Sequence, residues 1–420
     1  MRLTSAIGLI LLLSSAIATA KTIEVCPTCP FIRIQQAIDQ ANEGDTIYIR
    51  KGSYSEHSIC VDKPLYILGE QFPVIDGKGI GELIIIESDR VSIEGLHLQN
   101  TGISHVKDRA GIRLRRVKYF VIRNNKLDNT YFGIYLEHSS SGTIEGNQLL
   151  GQAKNETSSG NGIHLWYCKN IQVENNTVRG HRDGIYLEFA DSCRIAANLA
   201  EKNIRYGLHF MFSNDDDYFQ NIFQRNGAGV AVMFSRRINM WENTFAFNWG
   251  QAAYGLLLKE IYDAEIKDNT FRENTMGIFV EGSNRINYSR NAFIRNGWAI
   301  KISGGCLDNK IAGNNFLSNT FDLAVHSGVN NSFDGNFWSA YDGYDLNRDG
   351  MGDIPYRPVK LFNYIVNQTP EAMILLRSLF VDLINFSEKV SPVFTPDNVA
   401  DNKPLMRRIA LNHSYEITKR

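Results

Sequence analysis

The chain has 420 residues, with Lys+Arg 44 against Asp+Glu 45 and a formal net charge of -1. That balance excludes a surface dominated by attraction to nucleic acid or to anionic lipid, so no nucleic-acid partner is expected. With 43% hydrophobic residues the chain can bury a large core, and the spacing of those residues decides how many bodies it forms.

Residues 1–20 read as a secretory signal. Arg2 supplies the charged start, 7–13 the apolar run, and Ala18-Thr19-Ala20 a small-residue cleavage site before Lys21. The run is short for a spanning helix. No Cys follows the cleavage site, which argues against a lipoprotein. The mature chain is therefore expected to be exported, to the periplasm in a bacterium with an outer membrane.

Residues 21–110 read as an N-terminal cap and the first coils of a repeat. Phe31, Ile34, Ala37, Ile38 and Ala41 have helical spacing, and Gly44-Asp45 ends the helix. Short strand runs follow at 46–50, 65–68 and 83–86. A helix here would close the open end of a solenoid and hide its edge strand. The pattern from Ile34 to Tyr54 resembles the N-terminal cap of the pectate-lyase-like superfamily, which implies a fold and not a function. Cys26, Cys29 and Cys60 fall in this region. A disulfide between Cys60 and either Cys26 or Cys29 is expected in an oxidising compartment. Cys26-Pro-Thr-Cys29 has alternative uses in soft-metal binding or redox exchange.

Residues 111–341 are built from one repeated unit. Gly111, Gly133, Gly162, Gly184, Gly207, Gly229, Gly255 and Gly277 are each followed by an apolar–x–apolar step. Fourteen residues after each glycine comes an asparagine: Asn125, Asn147, Asn176, Asn198, Asn221, Asn243, Asn269 and Asn291. Degraded copies follow at Ala299 and Leu323. A period in the low twenties with short alternating runs predicts an all-β chain, a right-handed parallel β-helix. The asparagines should stack as an internal ladder and Phe223, Phe245, Phe271 and Phe293 as an internal aromatic column, at about 4.8 Å per coil. Each glycine is expected to supply a corner with φ > 0. Longer connections at 147–162 and 243–255 fall on the same side and are expected to border a binding face.

Alternation places two columns on the outer face of one sheet. One reads Arg113, Tyr135, His164, Tyr186, His209, Ala231, Leu257, Phe279; the other Arg115, Glu137, Trp166, Glu188, Met211, Met233, Lys259, Glu281. Two chemistries compete for this stripe. In a carbohydrate-binding or carbohydrate-active protein, Tyr135, Trp166 and Tyr186 would face sugar rings. Glu137 and Glu188, two coils and about 9.6 Å apart, would be the carboxylates. A clustered Asp column of the pectate-lyase kind is absent. In a copper(I) site, His209 and Met211 lie on one strand about 6.6 Å apart, with Met233 stacked one coil above. Imidazole and thioether are the ligands that ion prefers. His164 is a further candidate ligand in the same column, two coils from His209 and too far to share one ion with it. The same methionines also suit an adaptable partner-binding patch.

Residues 342–369 form an Asp/Gly-rich segment. Asp345, Asn347 and Asp349, with Gly350 and then Asp353, carry the first half of a calcium loop, but Tyr356 stands where a loop-closing Glu belongs. Calcium binding and an Asx-rich turn without an ion are both compatible with this spacing. Residues 370–420 read as a helix over 370–389 and an extended arm from Pro392. Met373, Leu376, Phe380, Leu383 and Ile384 make an apolar stripe that needs a partner.

Two segments, 206–221 (YGLHFMFSNDDDYFQN) and 335–356 (GNFWSAYDGYDLNRDGMGDIPY), together with the signal-plus-solenoid layout, resemble the NosD family. The resemblance spans nearly the whole mature chain. It implies a parallel β-helix and a non-enzymatic role in assembling the copper centre of nitrous oxide reductase in denitrification. It also implies work beside an inner-membrane ABC transporter, a copper-chaperone lipoprotein and the reductase apo-enzyme. The position of the helix at 370–389 is where such a chain would meet the transporter. The nomination of His209, Met211 and Met233 rests on column geometry alone.

Overall fold

The computed structural model describes residues 20–104, 106–157, 159–250, 253–325, 330–390 and 399–411. Most of the expected signal segment therefore lies outside the described residues. The short alternating runs wind into a right-handed parallel β-helix of three sheets. Among the described residues sheet 1 has 12 strands, from Ile59–Val61 to Phe321–Val325, sheet 2 has 13, from Thr22–Val25 to Lys310–Ala312, and sheet 3 has 13, from Ser53–Tyr54 to Phe337–Trp338. Every strand pairs in parallel with its equivalent one coil away, as Ile134 with Ile163 and Ile163 with Ile185. The same backbone hydrogen bonds thus run along the whole stack, and side chains of like offset fall into columns.

The inner columns are those expected. Phe223, Phe245, Phe271, Phe293, Phe316 and Trp338 stack with ring centroids 5.6, 4.5, 5.0, 4.9 and 4.1 Å apart. The asparagine ladder runs from Asn125 to Asn336. In it Asn221 Nδ2 donates to Asn243 Oδ1 at 3.0 Å and to the carbonyl of Ile195 at 2.8 Å. A second ladder runs alongside through Asn203, Asn226, Asn248, Asn274, Asn296 and Asn319, with amide bonds of 2.9–3.1 Å where they are formed. It satisfies the corner between sheets 3 and 1 as the first satisfies that between sheets 2 and 3.

The glycine column does not make corners. Its members sit in or immediately before the sheet 1 strands without positive φ, and they are small because successive coils approach closely there. A Cβ on Gly255 would lie 2.6 Å from the Gly277 carbonyl oxygen. The left-handed positions fall instead on larger residues at the corners, among them Tyr167, Phe189, Phe212 and Phe234. Register also moves the last degraded copy by one residue: Ile300 pairs with Leu323, so Asp322 and not Leu323 occupies the glycine position.

The N-terminal cap is the helix α1 (Ile34–Gln40), shorter than the run that suggested it, with Ile34, Ala37 and Ile38 buried. Cys26 pairs with Cys29, their Cα atoms 5.0 Å apart within a tight turn, and Cys60 is free. The expected bridge to Cys60 does not form because Cys60 lies on a sheet 1 strand with its thiol turned towards Glu87.

At the other end, α2 (Leu361–Gln368) was not expected. The expected helix divides into a 3-10 segment Pro370–Leu375 and α3 (Leu379–Val390). Phe362, Val366 and Val381 bury against Phe321, and Met373 and Leu376 pack on that cluster. The tail is no free arm over its described part. Residues 399–411 return to the solenoid, where Asp401 accepts hydrogen bonds from Gly335 N, Asn336 N and Trp338 Nε1, each at 2.8 Å. Asp401 thereby takes the place of the next rung and ends the first asparagine ladder.

Candidate functional site

The outer columns of sheet 1 are in the expected register. Tyr135, His164, Tyr186 and His209 pair in succession, as do Glu137, Trp166, Glu188, Met211 and Met233. The first column is not solvated. Tyr135, His164, Tyr186 and His209 are only 5–8% exposed, because their rings stack on one another at 4.6, 4.8 and 4.7 Å. Side chains from the first positions of the strands cover their flank: Phe132 lies 5.6 Å from His164 and Tyr206 4.9 Å from His209.

Beneath His209 lies a charge cluster that the column reading missed. Asp183 is fully buried and holds Arg205 through two hydrogen bonds, Nε to Oδ1 at 2.8 Å and Nη2 to Oδ2. Burial opposes ionisation of Asp183, yet the Arg205 guanidinium holds its carboxyl at about 2. The Asp183 carboxylate reaches His209 Nδ1 only at 3.6 Å, and neither ring nitrogen of His209 has a hydrogen-bond partner. Met211 Sδ accepts from the Tyr186 hydroxyl at 3.6 Å, and Met233 stands next in register. The structure therefore sets Met211 and Met233 in register, with His209 two residues before Met211 on the same strand. It sets His164 apart, with the Tyr186 ring between the two histidines. His164 Nδ1 lies 3.4 Å from Asn161 Nδ2, and its Nε2 is unpartnered. Burial, reinforced by Arg182, pushes its imidazole down to about 3, so it is neutral.

A ridge flanks the methionines. His138, Tyr167, Phe189, Phe212 and Phe234 stack along the corner between sheets 1 and 2, with centroids 5.1, 4.6, 5.1 and 5.1 Å apart. Tyr167 and Phe212 are 45% and 40% exposed. The signal was present in the sequence five residues after each glycine from Gly133 to Gly229, one place beyond the columns that were read.

The other candidates fare differently. Glu137 is engaged by Arg113 and Arg115, so the sugar reading loses one carboxylate of its pair. In the 345–353 loop the acidic oxygens cap backbone N–H groups. Asp345 accepts from Asp349 and Gly350, Asn347 from Asp349, and Asp353 from Leu346. That is the hydrogen bonding of an Asx-rich turn, and calcium rests on the spacing alone. Among the described residues no three His, Cys, Asp or Glu side chains converge on a point that would hold a metal, so any site on sheet 1 depends on its thioethers.

The family model described as periplasmic copper-binding protein (NosD) matches residues 38–157 and 149–343. The chain belongs to the NosD family. Within it, the chain is 28% identical over 376 residues to the "probable ABC transporter binding protein NosD" of Pseudomonas aeruginosa, covering 85% of this chain and 87% of that one. It is 26% identical to the protein of the same description from Stutzerimonas stutzeri, over 97% and 94% of the two chains. Among solved structures, PfbA, a surface adhesin of Streptococcus pneumoniae, shares the fold at 14% identity with a TM-score of 0.55, over 78% of this chain and 94% of that one. No described helix is long and apolar enough to cross a membrane.

Proposed function

We propose that this NosD-family chain is a non-enzymatic periplasmic assembly factor that takes copper(I) on the outer face of sheet 1. It would pass the ion towards the copper centre of nitrous oxide reductase, in concert with an ABC transporter and a copper-chaperone lipoprotein. One observation carries the reading: His209 is buried with neither ring nitrogen hydrogen-bonded, its Nδ1 only within 3.6 Å of the Asp183 carboxylate, on the strand of Met211 and one register step from Met233. An orphaned buried imidazole is costly unless something pairs with it. One imidazole and two thioethers form a soft donor set that favours copper(I) over hard cations. The relatives' description as ABC transporter binding proteins and the family's as copper-binding support the same assignment.

The test is an anaerobic copper(I) titration of the mature protein against a chromophoric chelator. The triple variant His209→Ala/Met211→Ala/Met233→Ala should lose at least about tenfold in affinity, a loss of about 1.4 kcal/mol. Met211→Leu/Met233→Leu keeps the packing and removes only the sulfurs, and it should lose most of the same affinity. Unchanged affinity in both would return the methionines to a docking role.

A further inference from the structure

The second asparagine ladder stops at His181, and the stop coincides with a cleft. From Asn203 to Asn319 this corner position is asparagine. His181 N–H still donates to Asn203 Oδ1 at 3.1 Å, so His181 occupies the next rung. Arg182 N donates to Gly160 O at 2.9 Å, which sets Ser159 one coil below. Thr130, three residues before Gly133 as Ser159 is before Gly162, takes the rung after that. At these three rungs the ladder is replaced by side chains that do not bond to one another. Thr130 Oγ1, Ser159 Oγ and His181 Nε2 are all buried without a partner. Their residues are 5%, 6% and 1% exposed.

All three residues line one cleft of about 490 Å³, together with Tyr131, Ile103 and Lys78. Its lining also includes Gln152 and Ala153 from the long 147–162 connection, the polar insertion whose placement suggested a binding face. The cleft carries little free charge. The Lys78 ammonium is bound to Asp76 at 2.9 Å, and burial pushes His181 down to about 4, so it is neutral. Two hydroxyls that each donate and accept, beside one neutral imidazole nitrogen that does one or the other by tautomer, match sugar hydroxyls and not a fixed anion or cation. The Tyr131 ring and the exposed Ile103 supply the apolar surface that a pyranose ring covers. The volume suits one or two such rings.

We propose that this cleft, on the corner between sheets 3 and 1 and separate from the methionine face, binds a neutral hexopyranose unit through Thr130, Ser159 and His181. A regular ladder interrupted where three buried polar atoms lose their partners is a local rule broken for function. Nothing in this inference rests on the copper reading.

The decisive variant is His181→Asn, because it extends the ladder in the form the protein already uses at Asn203 and so keeps the fold while removing the imidazole. The measurement is saturation-transfer NMR on the mature protein with glucose, galactose, mannose and N-acetylglucosamine, and galacturonate as the anionic comparator. Saturation of at least one neutral sugar is expected. It should fall at least fivefold in His181→Asn and in Ser159→Ala, with the thermal midpoint retained and copper(I) binding unaltered. No transfer to any neutral sugar, preferred transfer to galacturonate, or transfer unchanged in both variants would overturn the proposal. The first of those results would leave water as the partner of the three buried atoms.

Discussion

His164 shows what burial does to a side chain that sequence places on an outer face. Enclosed between Tyr135 and Tyr186, it is held neutral with its titration moved down to about 3. Its folded-state pKa is depressed below the ordinary 6.5, so its stabilising contribution is complete above that value. The contribution is lost as pH falls from 6.5 towards 3. Over pH 7 to 5 this amounts to about 2 kcal/mol. His164→Phe keeps a flat ring in the stack and cannot titrate. Urea unfolding at the two pH values should therefore show the variant gaining about 2 kcal/mol on the parent between pH 7 and 5; a constant difference would mean that His164 is not held neutral by the fold. Asp183 differs in charge and not in the direction of its pH dependence: it must stay ionised opposite Arg205. Asp183→Ala strands that guanidinium and should cost about 3–5 kcal/mol at pH 7. The outer columns that carry His209, Met211 and Met233 were legible because strand alternation fixes columns. Asp183 and Arg205 were not legible, because they lie on the corner before the strands, where backbone direction and not alternation decides which way a side chain points.

At the scale of the coil, stability comes from repetition of a few contacts. Asn243 shows the arrangement: its Oδ1 accepts from both the backbone N–H and Nδ2 of Asn221, and its own Nδ2 donates to Tyr218 O. Asn243→Ala leaves those groups buried and unpaired and should cost at least about 3 kcal/mol, whereas Asn239→Ala, on the exposed outside, should fall within about 0.5 kcal/mol. A comparable cost at the two positions would contradict the ladder. Gly255→Ala forces a Cβ to within 2.6 Å of the Gly277 carbonyl and should destabilise by about 1–3 kcal/mol. The coil architecture and the first ladder were legible from fixed offsets after each glycine. The second ladder was written just as plainly, as an Asn five residues after each first-ladder Asn from Asn198 to Asn314, but it was hidden among polar corner residues that look like ordinary turns. The glycines themselves were misread, because the pattern shows that a side chain is excluded and not whether a corner or a neighbouring coil excludes it.

For the whole molecule, the ends matter more than their length suggests, since a solenoid exposes its core wherever it stops. The tail was read as an extended arm because Pro and charged residues give no period, yet Asp401 caps the last rung over a separation in sequence that no local pattern reveals. Deleting everything after residue 370 would strip this cap, so loss of a partner in such a truncation would be ambiguous. The helical segment separates the two roles cleanly. Met373 and Leu376 face the solenoid cluster around Phe321 and Phe362, while Phe380, Leu383 and Phe386 are 54%, 58% and 67% exposed on α3. In the proposed partnership with an ABC transporter, this exposed apolar face is the docking surface. Phe380→Glu/Leu383→Glu leaves Asp401 and the Phe321 cluster untouched. It should keep the parent thermal midpoint within a few degrees and abolish co-purification with the transporter, while Asp401→Ala should lower the midpoint. Co-purification retained in the double variant would move the docking surface away from α3, with the Tyr167–Phe189–Phe212 ridge as the next face to disrupt.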